Sequence, residues 1–137
     1  MNAVDTNVLI YANDQRDPRK YDIAFRLVDG LDDGALPWQV ICEFLAASRK
    51  LEPFGFSLTK AWHYLEMLRS TWETAIPGWN VQVRGYELTQ RYSISYWDAL
   101  LISACIDAGV GRLYSEDLDT HNGLDGLEIV NPFRERP

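Results

Sequence analysis

The sequence contains no long hydrophobic run and very little cysteine. No apolar stretch reaches the roughly 18 residues that a membrane-spanning helix requires. The N-terminus has no basic segment followed by an apolar core, as a signal peptide would. The two cysteines, Cys42 and Cys105, each lie in apolar sequence that predicts a helix. We therefore expect two reduced core residues in a cytoplasmic protein, and no disulfide.

Positive charge is also scarce. The chain has 13 lysines and arginines against 20 acidic residues, which gives a formal net charge of −7. This balance argues against a protein that binds nucleic acid through a broad basic surface. It leaves open an enzyme that meets nucleic acid through bound cations.

The order of the predicted elements indicates the fold class. A length of 137 residues is that of one domain, which we expect to span residues 1–137. Short apolar segments predict strands at residues 2–5, 35–38, 111–115 and 127–130. Helical spacing predicts helices at residues 7–12, 18–31, 39–52, 81–92 and 96–108, and a further one after an N-cap at Ser57. Strands that alternate with helices predict a parallel sheet in a layered α/β fold.

Two acidic residues interrupt apolar sequence. Asp5 follows Ala3-Val4 and is soon followed by an apolar run from Val8 to Ala12. A carboxylate between two buried segments is costly unless it is paired, hydrogen-bonded or bound to a metal. Glu43 is a similar case, because it interrupts what should be the apolar face of its predicted helix.

Two more acids fall at corresponding places in the predicted fold. Asp98 lies in the first turn of its helix, and Asp117 follows the strand at 111–115. Asp5 ends the first strand, and Glu43 lies early in the helix after the second. In a parallel sheet, the carboxyl ends of the strands and the N-termini of the following helices share one edge, where ligands bind. We expect the four carboxylates to converge there.

A cluster of four carboxylates predicts a bound cation. Like charges a few ångströms apart do not all remain ionised, and a divalent cation removes that conflict. The ligands are all oxygens, without a neighbouring histidine or cysteine cluster, and this favours Mg²⁺ or Mn²⁺ over zinc. Such a cation activates water as a nucleophile and neutralises the charge of a phosphate. The cluster therefore suits hydrolysis of a phosphodiester.

Each acid also has a purely structural interpretation. Asp5 could cap the helix that follows it, Asp98 could complement a helix dipole, and Asp117 could form an Asx-turn. Taken singly, Asp98 and Asp117 are better explained in this way. Asp5 and Glu43 are not, because apolar sequence surrounds both of them.

The acids belong to four segments whose patterns can be compared with known families. The segments are Val4 to Ala12, Val40 to Phe44, Ser95 to Ala104 and Leu113 to Leu118. In this order they resemble the PIN-domain family, most closely the VapC-type toxins of prokaryotic toxin–antitoxin pairs. The ending, Leu127 to Phe133, resembles the family's terminal strand. Each motif alone is weak, but the set spans nearly the whole chain.

The resemblance implies a fold and an activity. The implied fold is a three-layer α/β/α domain with a parallel sheet of four or five strands. The implied activity is that of a Mg²⁺- or Mn²⁺-dependent endoribonuclease, which hydrolyses RNA phosphodiesters with metal-activated water. Such toxins are usually homodimers, and a VapB-like antitoxin neutralises them by covering the active site with its tail.

The resemblance also implies roles for individual residues. Asp5, Glu43, Asp98 and Asp117 match the family's catalytic acids. Asp5, Asp98 and Asp117 would be the metal ligands, and Glu43 would bind the metal through water or orient the nucleophile. Three neighbours would hold the carboxylates in place, namely Thr6, Asn7 and Ser115.

Several residues near these motifs have more than one interpretation. Glu116 or Asp119 could take the role of Asp117, because all three acids lie in one short segment. His121 could act as a proton donor, although a solvated loop histidine is the better interpretation. Most of the five tryptophans are expected in the core. Those of the middle segment, Trp62, Trp72 and Trp79, are candidates for a dimer or antitoxin interface.

Three other functions compete with the nuclease. A receiver-type phosphoaspartate switch needs a lysine late in the chain, and the last lysine is Lys60. A haloacid-dehalogenase-like phosphatase needs a second aspartate two residues after the first, where Asn7 stands. The third alternative is a catalytically idle PIN-like domain that only binds a partner. It predicts a damaged set of acids, whereas all four positions are filled.

Overall fold

The computed structural model describes residues 1–134, which contain a five-stranded parallel sheet. The strands are β1 (Asn2–Val4), β2 (Gly34–Pro37), β3 (Glu73–Ala75), β4 (Arg112–Tyr114) and β5 (Glu128–Val130). Their order across the sheet is β3-β2-β1-β4-β5, and every neighbouring pair is parallel. The order reverses at β1, which is therefore the central strand.

Six α-helices within residues 1–134 flank the sheet. They are α1 (Thr6–Tyr11), α2 (Pro18–Gly30), α3 (Trp38–Ala47), α4 (Leu58–Arg69), α5 (Trp79–Arg91) and α6 (Tyr96–Asp107). Helix α1 contacts α2 and α3, α3 contacts α4, and α5 packs along α6. Ser57 caps α4 as predicted, since its side chain accepts a hydrogen bond from the Lys60 backbone N–H. The predicted α/β fold with a parallel sheet is confirmed.

The structure differs from the sequence-based expectation at two elements. Strand β3 was not located in the sequence, because its residues Glu-Thr-Ala contain no apolar run and are only partly buried. The helix expected at residues 39–52 is shorter: α3 ends at Ala47, and Ser48–Phe54 forms a 3-10 helix that includes Pro53. Proline lacks a backbone N–H and crowds the preceding turn, so it opposes a regular α-helix there.

The core lies on both faces of the central strands. Ala3 and Val4 of β1, Leu36 of β2 and Leu113 of β4 are all essentially inaccessible to solvent. Strands buried on both faces consist of consecutive apolar residues, as parallel sheets do. Among residues 1–134, no helix is long and apolar enough to cross a membrane.

The expectation that most tryptophans lie in the core is wrong. Trp72 is buried, whereas Trp38, Trp62, Trp79 and Trp97 are 49–80% exposed. Tryptophan is large and often buried only in part, so composition alone does not place it.

The two cysteines also differ from each other. Both are free, but Cys42 is exposed, contrary to the prediction that both are core residues. Helix α3 buries Val40 and Phe44, which are four residues apart, and Cys42 lies between them on another face. Cys105 is buried as predicted, and this burial raises the pKa of its thiol to about 12.

One buried contact restricts the start of β2. The Trp72 indole lies over Gly34, and its Nε1 donates a hydrogen bond of 2.9 Å to the Leu31 carbonyl oxygen. A Cβ at Gly34 would stand 2.3 Å from two indole carbons, far inside van der Waals contact. Glycine is thus required here for close approach, and only a shift of the ring or the strand would make room.

We predict that Gly34→Ala lowers the free energy of unfolding by about 1–3 kcal/mol, the usual cost of overpacking. Urea denaturation followed by tryptophan fluorescence measures the change. Gly30→Ala is the matched control, because a Cβ there meets nothing within 4 Å. Equal midpoints for wild type and Gly34→Ala would show that the indole does not occupy this position in solution.

Candidate metal centre

Asp5 lies where the central strand β1 meets the short helix α1. It is the N-cap of α1, and its Oδ1 accepts a hydrogen bond of 2.7 Å from the Thr6 backbone N–H. Its Oδ2 accepts a hydrogen bond of 2.8 Å from the Ser115 hydroxyl, which follows β4. The carboxylate is therefore fixed at the carboxyl edge of the sheet by groups from two neighbouring strands.

The surroundings of Asp5 oppose its negative charge. Burial raises the pKa of the Asp5 carboxyl above its ordinary value of 3.8. The hydrogen bonds from Ser115 and Thr6 lower this pKa, while the Glu43 and Asp117 carboxylates raise it further. The net direction is upward, so the ionised form is less favourable here than in water. Asp5 thus lies near two other acids, and no positive side chain of the described residues 1–134 contributes to its pKa.

Glu43 is held from two sides. Its Oε2 accepts a hydrogen bond of 2.9 Å from the Thr6 hydroxyl, and its Oε1 accepts one of 2.8 Å from Gln39 Nε2. Thr6 thereby contacts both Asp5 and Glu43. Glu43 itself is exposed, so it does not interrupt a buried helix face as its sequence context suggested. The buried face of α3 consists instead of Val40 and Phe44.

Gln39 links Glu43 to the first turn of α6. Its Nε2 also donates a hydrogen bond of 3.2 Å to the Trp97 carbonyl oxygen, one residue before Asp98. The Asp98 backbone N–H donates to the Ser95 hydroxyl, the N-cap of α6. A chain of hydrogen bonds therefore runs from Ser115 through Asp5, Thr6, Glu43 and Gln39 to α6.

The three acids after β4 have different partners. Glu116 accepts hydrogen bonds from Lys20 Nζ at 2.7 Å and from the Tyr11 hydroxyl at 2.9 Å. Asp119 forms an ion pair of 2.7 Å with Arg134. Asp117 accepts a hydrogen bond of 3.1 Å from the Asn7 amide, and its charge acts on Asp5.

Asp117 is therefore the only one of the three that lacks a cationic partner among the described residues. His121, the other candidate in this segment, ends the short 3-10 helix Asp119–His121. Its place there adds no support for a role as proton donor.

The four acids lie along one edge, but they do not form a complete ligand shell. Within residues 1–134, no three Asp, Glu, His or Cys side chains are grouped so that they could hold a metal ion. Asp5 feels the charges of Glu43 and Asp117, whereas Asp98 is not among the charges that shift its pKa. Glu43 and Asp117 are thus close enough for their charges to act on Asp5, and Asp98 is linked to Glu43 only through the Trp97 carbonyl and Gln39.

Sequence reasoning missed Gln39. It lies four residues before Glu43 in α3, a spacing that puts both side chains on one face of a helix. That spacing was the available signal. The bond to Trp97 was not predictable, because it depends on how α3 and α6 approach each other. The three expected neighbours Thr6, Asn7 and Ser115 do contact the acids.

The whole fold is similar to solved structures of toxin–antitoxin proteins. A toxin–antitoxin complex from Klebsiella pneumoniae superposes with a TM-score of 0.69 at 17% identity, over 96% of this chain and 98% of that one. VapC20 of Mycobacterium tuberculosis, described as a sarcin-ricin loop cleaving toxin, gives 0.64 at 18% identity, over 88% and 93%. FitAB bound to a DNA fragment gives 0.69 at 16% identity, over 100% and 99%.

At these identities the structural similarity shows the fold alone. No curated protein matches the sequence significantly. A family model does match, that of the PIN domain, over residues 3–123. This match covers most of the chain and includes all four acids. The chain belongs to the PIN-domain family.

Proposed function

We propose that this protein is a Mg²⁺- or Mn²⁺-dependent endoribonuclease, the toxin of a VapBC-type toxin–antitoxin pair. The observation that supports it best is the hydrogen-bonded arrangement of Asp5 and Glu43, with Asp117 close by, at the carboxyl edge of a PIN-domain sheet. The structural similarity to toxins of such pairs supports the same function.

The residues at this edge fit a hard divalent cation. The nearby ligand atoms are carboxylate oxygens, and the pKa of Asp5 is raised by burial and, to a smaller extent, by neighbouring negative charges. Magnesium is commonly held by one or two carboxylates and keeps several waters, so a preformed shell of three acids is not required. When bound, the cation would neutralise phosphate charge and lower the pKa of a water molecule.

The contacts of each acidic side chain suggest its role in the reaction. Asp5, Asp117 and Asp98 would bind the cation, with Asp5 fixed by Thr6 and Ser115 and Asp117 by Asn7. Glu43 would bind the cation through water or orient the attacking water, because both of its oxygens are held in place. No protein nucleophile is needed, and the expected products are a 5′-phosphate and a 3′-hydroxyl.

The charge and the surface of the chain support the proposed partners. With a net charge of −7, RNA binding would depend on the cation more than on basic side chains. Exposed aromatic residues, among them Trp62 and Trp79, suit an antitoxin or a homodimer interface. We propose a VapB-like antitoxin and a second copy of the chain as partners. An RNA substrate would place the activity in the cytoplasm.

Cleavage of a mixed structured RNA pool tests the function. We predict that wild type with Mg²⁺ or Mn²⁺ cuts the RNA and leaves 5′-phosphate ends, and that EDTA abolishes the cleavage. Asp117→Asn should lose roughly 100-fold or more in rate, because it removes a cation ligand. Asp119→Asn is the matched control and should stay within about threefold, because Asp119 forms its ion pair with Arg134 and not with the acidic cluster.

Cleavage that survives EDTA would overturn the metal mechanism. Loss of activity in Asp119→Asn with full activity in Asp117→Asn would show that Asp119, and not Asp117, is the cation ligand. No cleavage by wild type, together with no effect of Mn²⁺ on its melting temperature, would favour the idle binding domain.

Asp5→Asn should stabilise the protein when EDTA removes metal. The raised pKa means that the native state holds this proton more tightly than the unfolded chain, so ionisation of Asp5 lowers the free energy of unfolding as pH rises above 3.8. Asparagine carries no charge and keeps an oxygen for the Thr6 N–H. We expect a melting temperature a few degrees above that of wild type at pH 7, and a smaller difference at pH 4.

Asp29→Asn is the control for this measurement, because Asp29 is exposed on α2 and the same atoms change. It should leave the melting temperature nearly unchanged at both pH values. A melting temperature of Asp5→Asn well below that of wild type at pH 7 would show that the carboxylate stabilises the metal-free fold.

A further inference from the structure

Gln39 contains the one unsatisfied polar atom in the buried part of the described chain. Among residues 1–134, its Oε1 is the only buried side-chain nitrogen or oxygen without a hydrogen-bond partner. The amide orientation is fixed by its surroundings, because Nε2 faces two acceptors, the Glu43 carboxylate and the Trp97 carbonyl oxygen. Turning the amide over would place oxygen against oxygen. The unpaired oxygen therefore results from the bonds that Nε2 makes.

An unpaired buried acceptor lowers stability, typically by about 1–3 kcal/mol. The fold gains little in return, because Glu43 and Trp97 are both exposed residues that water can reach. Gln39 also lines a mainly apolar cavity of about 540 Å³ together with Trp38, Cys42 and Leu100. An apolar side chain of the same length would fit this environment without an unpaired oxygen. Stability of the fold does not explain a glutamine here.

We propose that Gln39 is a positioning residue of the acidic cluster, which holds Glu43 in one orientation and ties α3 to the first turn of α6. This inference rests on the proposed function, since it assigns Gln39 to the metal-dependent site. Of the four acids, Glu43 and Asp98 are the two that lie within long helices, and the two hydrogen bonds of Gln39 connect them. One bond goes to Glu43 directly, and the other goes to the carbonyl oxygen of Trp97, the residue before Asp98.

The contacts show what would change without this amide. Glu43 would keep the hydrogen bond that its Oε2 accepts from the Thr6 hydroxyl, but its Oε1 would lose the Gln39 donor. With one hydrogen bond in place of two, the carboxylate could change its orientation. The first turn of α6 would lose its hydrogen bond to α3. Asp5 would be unaffected, because Thr6 and Ser115 hold it. The expected loss is thus in the alignment of Glu43 and Asp98 and not in the fold.

Manganese binding to the full chain tests the proposal. Gln39→Met keeps the length of the side chain and removes both bonds. We expect the dissociation constant for Mn²⁺, measured by titration calorimetry, to rise about tenfold, as for other residues that orient metal ligands. The metal-free melting temperature should equal or exceed that of wild type. With RNA, kcat should fall while KM changes less than about twofold.

Two further variants make the assignment specific. Gln90→Met is the matched control, an exposed glutamine on α5 remote from these bonds, and it should behave as wild type in every measurement. On the Glu43→Gln background, Gln39→Met should weaken Mn²⁺ binding less than it does in wild type, because the part of its effect that acts through Glu43 is already lost. If Gln39→Met does not fold, Gln39→Asn replaces it, because its shorter amide cannot span both partners.

The outcomes separate this inference from the proposed function. No Mn²⁺ binding by wild type would overturn both. Normal binding and kcat in Gln39→Met, with a lowered melting temperature, would show that Gln39 only stabilises the fold and would overturn this inference alone. Weaker binding in Gln39→Met that persists in full on the Glu43→Gln background would also overturn it, because Gln39 would then act without Glu43.

Discussion

The arrangement at the carboxyl edge of the sheet depends on one constraint: other carboxylates, those of Glu43 and Asp117, must be held close to the partly buried Asp5, which has the same charge. The hydrogen bonds that Asp5 accepts do not fully offset the cost of its charge. The protein meets the constraint with neutral donors. Thr6 donates to both Asp5 and Glu43, Ser115 donates to Asp5, and Asn7 donates to Asp117. Neutral donors fix the oxygens in place and leave negative charge uncompensated at the site.

This constraint explains which of the neighbouring acids form ion pairs. Lysine and arginine pair with two other carboxylates of the segment after β4. Lys20 pairs with Glu116, and Arg134 pairs with Asp119. The cationic side chains thus support the loop after β4 without neutralising the cluster. A surplus of negative charge that no side chain of residues 1–134 is seen to neutralise favours the binding of a divalent cation.

The sequence was sufficient for the fold class, and it predicted one edge of the sheet for the four acids. Both follow from strong local patterns: apolar strands alternating with capped helices, and acids placed just after strands or at helix starts. Ser57 caps its helix as its position predicted, and Ser95 caps α6 in the same way. The parallel topology then brings residues distant in sequence, such as Asp5 and Ser115, into hydrogen-bond contact.

Other features depend on packing between elements, which local patterns do not contain. Strand β3 is short, partly exposed and polar, so only its pairing with β2 defines it. The exposure of Trp97 and the burial of Trp72 depend on which neighbours cover each side chain. Gln39 looked like an ordinary helix residue, and only the approach of α6 to α3 shows that it joins two acids. The partners of Glu116 and Asp119 come from α1, α2 and the end of the chain, beyond any local pattern.

We propose that Asp5 and its acidic neighbours bind a divalent cation at the carboxyl edge of the sheet. A crystal structure of wild type soaked in Mn²⁺, with anomalous diffraction to locate manganese, would test this binding. We expect a manganese peak within direct coordination distance of an Asp5 oxygen and close to Asp117. Manganese bound only elsewhere, with the Asp5 carboxylate still held by Thr6 and Ser115 alone, would contradict it.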